Sequence, residues 1–329
     1  MTSINDIART AGVSKSTVSK VLNHYEAVSE QTRKKVEKAI QDLNYVPNAA
    51  AISLSKKDFH RVGLIIDMNY YKQAIDEIDI RYLFGAFEKA GEYQIDAVTF
   101  FTSQFVHMSS GDMIRYLKSQ GITGFIVYSL SHDNMNLYDV IMSQEFKVVV
   151  VDSPVVSEKT SSVSVDHYKG QYEVAKKTIE SGKSDTVLYI ACGPDGYITD
   201  ARMSAMRRLK EEKNFELIVE YADYSEKKAR EITFARGREA DVIVCASDLM
   251  AVGAAYALEE MGIKRPVSGY DGITLMGYTR IPMYTLRQDF KKISSVAFEE
   301  LVRLFEGETG RHVTVETEVV QINYEDVIN

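Results

Sequence analysis

The sequence has few of the residues that build disulfide bonds and metal sites. Its 329 residues include two cysteines and six histidines. Cys192 and Cys245 each lie in an apolar, strand-like run, which favours buried reduced thiols over a disulfide or a metal site. The histidines, at positions 24, 60, 107, 132, 167 and 312, lack the spacing of metal ligands. We therefore expect neither a metal ion nor another cofactor.

Long apolar runs are also missing. No run reaches the roughly 18 apolar residues that a membrane-spanning helix needs, and the N-terminal residues lack the hydrophobic region of a signal peptide. We therefore expect a cytoplasmic protein that makes no contact with a membrane.

The common sequence motifs of catalysis are absent as well. Gly182 to Ser184 read Gly-Lys-Ser, but Lys177 stands where a phosphate-binding loop needs glycine. There is no Gly-x-Gly-x-x-Gly motif, no Gly-x-Ser-x-Gly elbow and no His-Glu-x-x-His. The sequence therefore predicts a protein that is not an enzyme.

The charge is divided unevenly along the chain. The net charge is -8, yet residues 1–58 hold nine Lys/Arg and six Asp/Glu, which gives +3 against -11 for the rest. A length of 329 residues with 45% hydrophobic content allows two or three domains with sizeable cores. The basic N-terminal part is the expected contact with nucleic-acid phosphates.

Two short helices are predicted at the N-terminus. Apolar side chains recur at helical spacing on both sides of a Gly-Val-Ser break, at Ile4, Ile7, Ala8 and Ala11, and then at Val18, Val21 and Leu22. Gly12 can adopt the left-handed conformation that ends the first helix, and Ser14 can cap the second.

The second helix turns a small, polar and basic face away from its apolar side chains. Helical geometry places Ser16, Ser19, Lys20 and Asn23 opposite Val18. Such a helix fits the major groove of DNA and can offer Lys15, Ser16 and Lys20 to base edges. The spacing alone leaves two alternatives, a helix-turn-helix and an ordinary helical hairpin.

A third helix and a short linking segment follow. Ser29 can cap a helix that extends to about Asn44, and Pro47 prevents it from continuing. Residues 48–55 are rich in alanine but too few to form a stable helix alone. They are either a helix that folds against a partner or a plain linker with Leu54 packed on the next domain.

From Arg61 onward, apolar runs alternate with helical patterns. The predicted strands are residues 62–66, 95–100, 124–128 and 146–152 in a first series, and 186–192, 216–221 and 241–247 in a second. Continuous apolar strands separated by helices indicate parallel sheets covered on both faces. The sequence therefore predicts two doubly wound α/β halves in tandem.

Three segments resemble the N-terminus of the LacI/GalR family of bacterial regulators. They are residues 4–23, the run Val-Ser-Glu-Gln-Thr-Arg-Lys-Lys-Val at 28–36, and residues 43–54. The resemblance implies a helix-turn-helix domain over residues 1–46 and a hinge helix or linker over 47–60. It also implies a set of DNA contacts: Lys15, Ser16, Thr17, Ser19, Lys20, Asn23, Ala50, Leu54 and Ser55. In such a hinge a leucine, here Leu54, enters the minor groove and kinks the DNA.

The resemblance extends to a periplasmic-binding-protein-like core over residues 61–329. It implies that the chain crosses between the halves near residues 161–166, 286–290 and 313–324. The first subdomain then comprises about residues 61–160 with 290–312, and the second about 161–289 with 313–329. Residues 262–269 are shorter than the usual loop and strand of the family, so we expect a shortened strand there.

Candidate ligand-binding residues lie after the carboxyl ends of the strands, where open α/β sheets bind ligands. Asp67, Asp152, Ser247 and Asp271 all occupy such places. By resemblance, Arg202, Tyr224 and Phe290 also match ligand-contact positions of the family, although Ala205 replaces the glycine usual after the arginine.

Carboxylates, a guanidinium and aromatic rings together are typical of saccharide recognition. We expect a sugar or a sugar phosphate as the ligand. The alternatives are core packing for the two rings and a structural ion pair for Arg202 with Asp271.

Together these features predict a sequence-specific DNA-binding repressor that acts as a homodimer on a pseudo-palindromic operator. A small-molecule effector between the core subdomains would change its affinity for DNA. The alternative is a cytoplasmic solute-binding module without operator-specific DNA binding.

Overall fold

The structure is a computed structural model that describes residues 3–22, 28–43, 45, 60–67, 77–128, 130, 134–194 and 196–328. The chain forms two compact units, and the second begins at Arg61. None of the helices in these ranges is long and apolar enough to cross a membrane.

The described residues of the first unit form three helices: α1 (Ile4–Ala11), α2 (Lys15–Leu22) and α3 (Glu30–Asp42). The predicted helix ends are confirmed. Gly12 follows α1 in the left-handed conformation, with φ 64°. Ser14 accepts a hydrogen bond from the Thr17 amide at 3.1 Å, and Ser29 caps α3. The buried core is apolar and comes from all three helices, with Ile7, Ala8, Val18, Val21, Val36 and Ala39.

The second unit is built from strands and helices that alternate along most of the chain. Its strands are β1 (Arg61–Ile66), β2 (Asp96–Phe101), β3 (Gly124–Tyr128), β4 (Lys147–Val151), β5 (Thr160–Val165), β6 (Thr186–Ala191), β7 (Glu216–Tyr221), β8 (Val242–Cys245), β9 (Val267–Ser268), β10 (Tyr284–Arg287), β11 (His312–Val315) and β12 (Glu318–Gln321). Its α-helices are α4 (Glu77–Glu92), α5 (Ser110–Ser119), α6 (Met135–Met142), α7 (His167–Ile179), α8 (Tyr197–Lys213), α9 (Glu226–Arg236), α10 (Asp248–Glu260), α11 (Phe290–Phe305) and α12 (Tyr324–Val327).

The strands form two six-stranded sheets of matching topology. The first sheet has the order β11-β5-β4-β3-β1-β2, and the second has the order β12-β10-β9-β8-β6-β7. All pairs are parallel except β10 with β12, which is antiparallel at the edge of the second sheet. Apolar clusters cover both faces of the first sheet. The predicted doubly wound halves are confirmed, because parallel strands covered by helices bury both faces.

The chain crosses three times between the halves, after Val165, after Arg287 and after Val315. The expected division at residues 160 and 161 needs correction, because all of β5 pairs within the first sheet between β4 and β11. The division at residues 312 and 313 likewise falls inside β11, which belongs to the first sheet. Strand β9 has two residues, so the expected shortening is confirmed.

Candidate functional site

Helix α2 presents polar and basic side chains to solvent. Lys15, Ser16 and Lys20 are exposed, whereas Val18 and Val21 on the opposite side are buried. The hydroxyl of Ser14 lies 2.7 Å from that of Ser16 and 2.8 Å from that of Thr17. These short contacts order the first turn, and the two lysines of α2, Lys15 and Lys20, are both exposed.

The remaining predicted DNA contacts are placed differently. Thr17 and Ser19 are half-buried, so they contribute less surface than the lysines. Asn23, Ala50, Leu54 and Ser55, and with them most of the predicted hinge segment, lie outside the described residues.

In the core, a chain of polar contacts links the two halves through His167. Asp152 directly follows β4 of the first half, and its Oδ1 lies 3.0 Å from His167 Nε2. The other ring nitrogen, Nδ1, lies 3.1 Å from the Tyr270 hydroxyl and 3.4 Å from an Arg202 nitrogen of the second half. Arginine only donates hydrogen bonds, so Nδ1 accepts and Nε2 carries the proton that is donated to Asp152.

Arg202 is a buried cation in this cluster. Its guanidinium carbon lies 3.5 Å from the centre of the Tyr270 ring, and one terminal nitrogen donates to the Ala246 carbonyl at 2.5 Å. Its Nε has no hydrogen-bond partner among the described residues. A buried guanidinium with a free donor can bind a hydroxyl or another acceptor on a ligand.

Asp271 stands beside Arg202 in the loop after β9. Burial raises the pKa of Asp271 well above its usual value, and Arg202 opposes that rise. The side-chain amide of Gln288 donates to Asp271 Oδ1 at 3.0 Å. The carboxyl therefore has a fixed orientation.

A second buried carboxylate, that of Asp248, binds the backbone of the loop that carries Asp271. Asp248 Oδ2 accepts from the Gly272 and Ile273 amides at 2.7 and 2.8 Å, and its Oδ1 accepts from the Thr285 hydroxyl at 2.6 Å. Burial raises the pKa of Asp248 to about 6, against the opposing effect of these hydrogen bonds.

Two family models match the parts of the chain that hold these two sites. Residues 3–48 match the model of bacterial regulatory proteins of the lacI family, and residues 81–308 match the model of the periplasmic binding protein domain. The chain belongs to the lacI family. It is therefore a DNA-binding transcriptional regulator with an effector-binding core.

Curated relatives of this lacI-family protein match over most of its length. The transcriptional repressor PurR of Vibrio campbellii is 28% identical, over 92% of this chain and 91% of its own. The sucrose operon repressor of Lactococcus lactis is 26% identical, over 94% and 95%.

Solved structures show the same fold. A lac repressor bound to ONPG in the repressed state has a TM-score of 0.78 with 22% identity, and the match covers 97% of this chain and 98% of the repressor. A complex of the regulator CelR with cellobiose has a TM-score of 0.70 with 23% identity, covering 98% and 99%.

The lacI-family core brings most of the predicted ligand residues into one neighbourhood. Asp152, Arg202 and Asp271 are joined through His167 and Tyr270, as described above. Phe290 is buried, and its ring makes an edge contact with Tyr82 at 5.3 Å. The Tyr82 hydroxyl lies 3.5 Å from Asp152, so Phe290 supports the same cluster.

Tyr224 also belongs to this neighbourhood. It has a positive φ of 59°. The pKa of its hydroxyl is raised well above the usual value by the adjacent Cys192 and by burial, while Arg202 opposes the rise. The residue is 38% exposed, so part of it is accessible to solvent.

Ser247 and Asp67 have other partners. Ser247 caps helix α10 by accepting a hydrogen bond from the Met250 amide at 3.3 Å. Asp67 is exposed and accepts from the Thr102 hydroxyl at 2.6 Å. Ser247 thus has a structural role beside the site, and Asp67 is not joined to the His167 cluster by any of these contacts.

Sequence reasoning missed four members of the cluster: Tyr82, His167, Tyr270 and Gln288. Tyr270 follows β9 and directly precedes the predicted Asp271, so its position at the end of the expected short strand was a usable signal. His167 follows β5 and Gln288 follows β10, and neither of these strands was predicted from the sequence. Tyr82 lies in the middle of α4, where its helical spacing indicates only a core residue.

Proposed function

We propose that this protein is a cytoplasmic transcriptional repressor that binds a pseudo-palindromic operator as a homodimer. The exposed lysines of α2 support this proposal most directly, because a helix held by a three-helix core and carrying exposed cations suits the major groove. A dimer presents two such helices, which matches two half-sites related by symmetry.

We further propose a sugar as the effector. The site combines the buried Arg202 donor, the Asp152 and Asp271 carboxyls and the partly exposed Tyr224. Carboxyl groups accept hydrogen bonds from sugar hydroxyls, and a ring packs on the apolar face of a sugar.

Charge favours an unphosphorylated sugar over a sugar phosphate. Among the described residues, three carboxyls, those of Asp152, Asp248 and Asp271, lie in or next to the site, against the single guanidinium of Arg202. That guanidinium already contacts the Tyr270 ring and the Ala246 carbonyl. A phosphate would bring further negative charge into a site that is already short of cations.

The DNA-binding proposal is tested by selecting binding sites from a random duplex library with the full-length chain. We expect enrichment of an inverted repeat whose two halves are read by two copies of α2. Failure to enrich any sequence would instead support a solute-binding module without operator-specific DNA binding.

The effector proposal is tested by a thermal-shift screen of matched pairs, each a sugar and its phosphate, because a ligand that binds the native state raises the melting temperature. We expect hits among the unphosphorylated sugars. Hits confined to the phosphates would overturn the charge argument.

A further inference from the structure

The carboxylate of Glu77, in the first half, accepts hydrogen bonds from a loop of the second half. Glu77 begins helix α4, which packs on the first sheet, and Thr274 begins a short 3-10 helix in the second half. The two Glu77 oxygens accept from the Thr274 amide at 3.1 and 3.0 Å, and one also accepts from the Thr274 hydroxyl at 2.7 Å. Only 15% of the Glu77 side chain is exposed. Water therefore competes weakly for these hydrogen bonds.

Arg81 completes this contact. It lies one turn further along α4, and its guanidinium is 2.5 Å from Glu77 Oε1. The same guanidinium donates to the Thr274 hydroxyl at 3.3 Å. The arrangement joins an ion pair within one half to four hydrogen-bond contacts across the halves, three to Glu77 and one from Arg81.

The loop that Glu77 binds is the one that carries Asp271. Three successive amides follow that residue, and each binds a carboxylate: Gly272 and Ile273 bind Asp248, and Thr274 binds Glu77. Gly272 has a φ of 77°, which allows the loop to turn so that these amides point to their acceptors. The loop is thus fixed from its own half by Asp248 and from the other half by Glu77.

An apolar contact reinforces the join. Ile78, the neighbour of Glu77, packs against the hydrophobic core of the first half and also against that of the second. The first turn of α4 therefore contacts the second half through both its polar and its apolar side chains.

We propose that Glu77 is a positioning residue of the ligand site, which holds the two halves of the core together and fixes the loop that carries Asp271. The proposal rests on the proposed function in one respect, namely that Asp271 belongs to the effector site. Loss of the carboxylate leaves the Thr274 amide without its acceptor and Arg81 without its ion pair, so the loop and the join between the halves both loosen.

Hydrogen exchange of the full-length protein tests the loop contact at single-residue resolution. We expect Glu77→Ala to accelerate exchange of the Thr274 amide at least about tenfold, because its acceptor is removed. Exchange at Gly272 and Ile273 should change less, since Asp248 remains. The matched control is Glu88→Ala on the same helix, where Glu88 binds Lys291 of the first half and is 51% exposed. Unchanged exchange at Thr274 in Glu77→Ala would overturn the proposal.

A distance measurement tests the join between the halves. Strands β2 and β7 are edge strands, one in each half, at the sheet edges away from the chain crossings, so labels on the segments after them report the separation of the halves. Val106 and Lys227 follow these strands and are 67% and 85% exposed. Cysteines placed at both positions can carry spin labels, because Cys192 and Cys245 are buried.

We expect Glu77→Ala and Thr274→Val to shift the distance between the labels to longer and broader values. Thr274→Ser keeps the hydroxyl donor, so its distance distribution should match that of the parent. The Glu88→Ala control should also match the parent. An unchanged distribution in Glu77→Ala overturns the proposal. Neither measurement uses DNA or an effector, so failure here is distinct from failure of library selection or of the ligand screen.

Discussion

The guanidinium of Arg202 lies on the Tyr270 ring at 3.5 Å and donates to the carbonyl of Ala246, at the end of strand β8. The protein itself therefore holds this cation in place, and a ligand adds to contacts that already exist. A buried cation on an aromatic ring contributes about 2 kcal/mol, and its carbonyl hydrogen bond adds to that.

Replacement of Arg202 is expected to affect both stability and regulation. Arg202→Ala should lower the free energy of unfolding by about 3 kcal/mol, because Asp271 loses its compensating charge and Tyr270 its packing partner. It should abolish the effector response while ligand-free DNA binding persists. Urea unfolding and operator titration measure the two effects. Arg208→Ala, an exposed arginine on the same helix paired with Glu212, is the control. A normal effector response would remove Arg202 from the site.

Removal of a lysine from helix α2 should weaken operator binding. Lys20→Ala is expected to cost roughly 1–3 kcal/mol, or about 5-fold to 150-fold in affinity, whether the lysine contacts a base or a phosphate. Titration of the selected operator at fixed salt measures the loss. Lys38→Ala removes an exposed lysine from α3 and should leave operator affinity nearly unchanged. Equal affinity of Lys20→Ala and the parent would contradict the assignment of the recognition helix.

Asp248 should make stability depend on pH. Its pKa is raised by burial from 3.8 to about 6. Below pH 4 the carboxyl is protonated in both the folded and the unfolded chain. Between about pH 4 and 6 the unfolded chain loses this proton more readily, so this group lowers the stability of the fold as pH rises. Above pH 6 the full loss applies.

Asp248→Asn removes this titration and keeps one acceptor oxygen for the loop amides. The stability of the variant relative to the parent should therefore improve by roughly 2–3 kcal/mol between pH 4 and pH 7. Urea unfolding at each pH unit measures the difference, with the exposed Asp139→Asn as a control for the loss of one charge. A difference that stays constant with pH would show that Asp248 does not titrate in this range.

Glu300 joins the edge of the first sheet to helix α11. Its buried carboxylate binds Arg311 at 2.6 Å and Arg303 at 3.0 Å, and it accepts from the Ser161 hydroxyl at 3.4 Å. Burial alone would raise the pKa of Glu300, but the hydrogen bonds from Arg311 and Arg303 outweigh it and lower the pKa. This stabilising contribution is present at neutral pH and is lost as pH falls below about 4.5.

Glu300→Gln should lower the free energy of unfolding at pH 7 by about 2 kcal/mol, since two arginines lose a buried partner. Glu308→Gln is the matched control, because Glu308 also binds Arg303 but is largely exposed. It should cost less than about 0.5 kcal/mol. Urea unfolding of both variants measures the contrast, and equal losses would contradict the role given to burial.

The parts of the fold that the sequence predicts well are those in which pattern and environment agree. The strand at Gly124–Tyr128 is buried throughout, and its apolar run matches its observed bounds. Strand β5 was misassigned as a crossing because Thr-Ser-Ser-Val-Ser-Val lacks a continuous apolar run. Ser161 and Ser162 are nevertheless buried, since the Ser161 hydroxyl donates to Glu300 and the Ser162 hydroxyl donates to the Ser153 carbonyl. These partners lie 139 and 9 residues away, and no periodic pattern of apolar residues shows them.

The site was predicted in part for a similar reason. Strand ends and family resemblance indicate Asp152, Arg202 and Asp271, because those positions follow from topology. The role of His167 depends on contacts of its imidazole ring with Asp152, Tyr270 and Arg202. Glu77 likewise depends on a contact with Thr274, 197 residues away. The spacing of residues along the sequence carries no information on such long-range contacts.

The three crossings between the halves also govern how the chain can fold during synthesis. The three described helices of the first unit are complete once Asp42 has left the ribosome, so this unit can fold early. Neither sheet of the core has all its strands at that stage or for long afterwards. The first awaits an outer strand ending at Val315, and the second awaits one ending at Gln321. During synthesis, the DNA-binding unit can therefore fold well before the core that binds a ligand is complete.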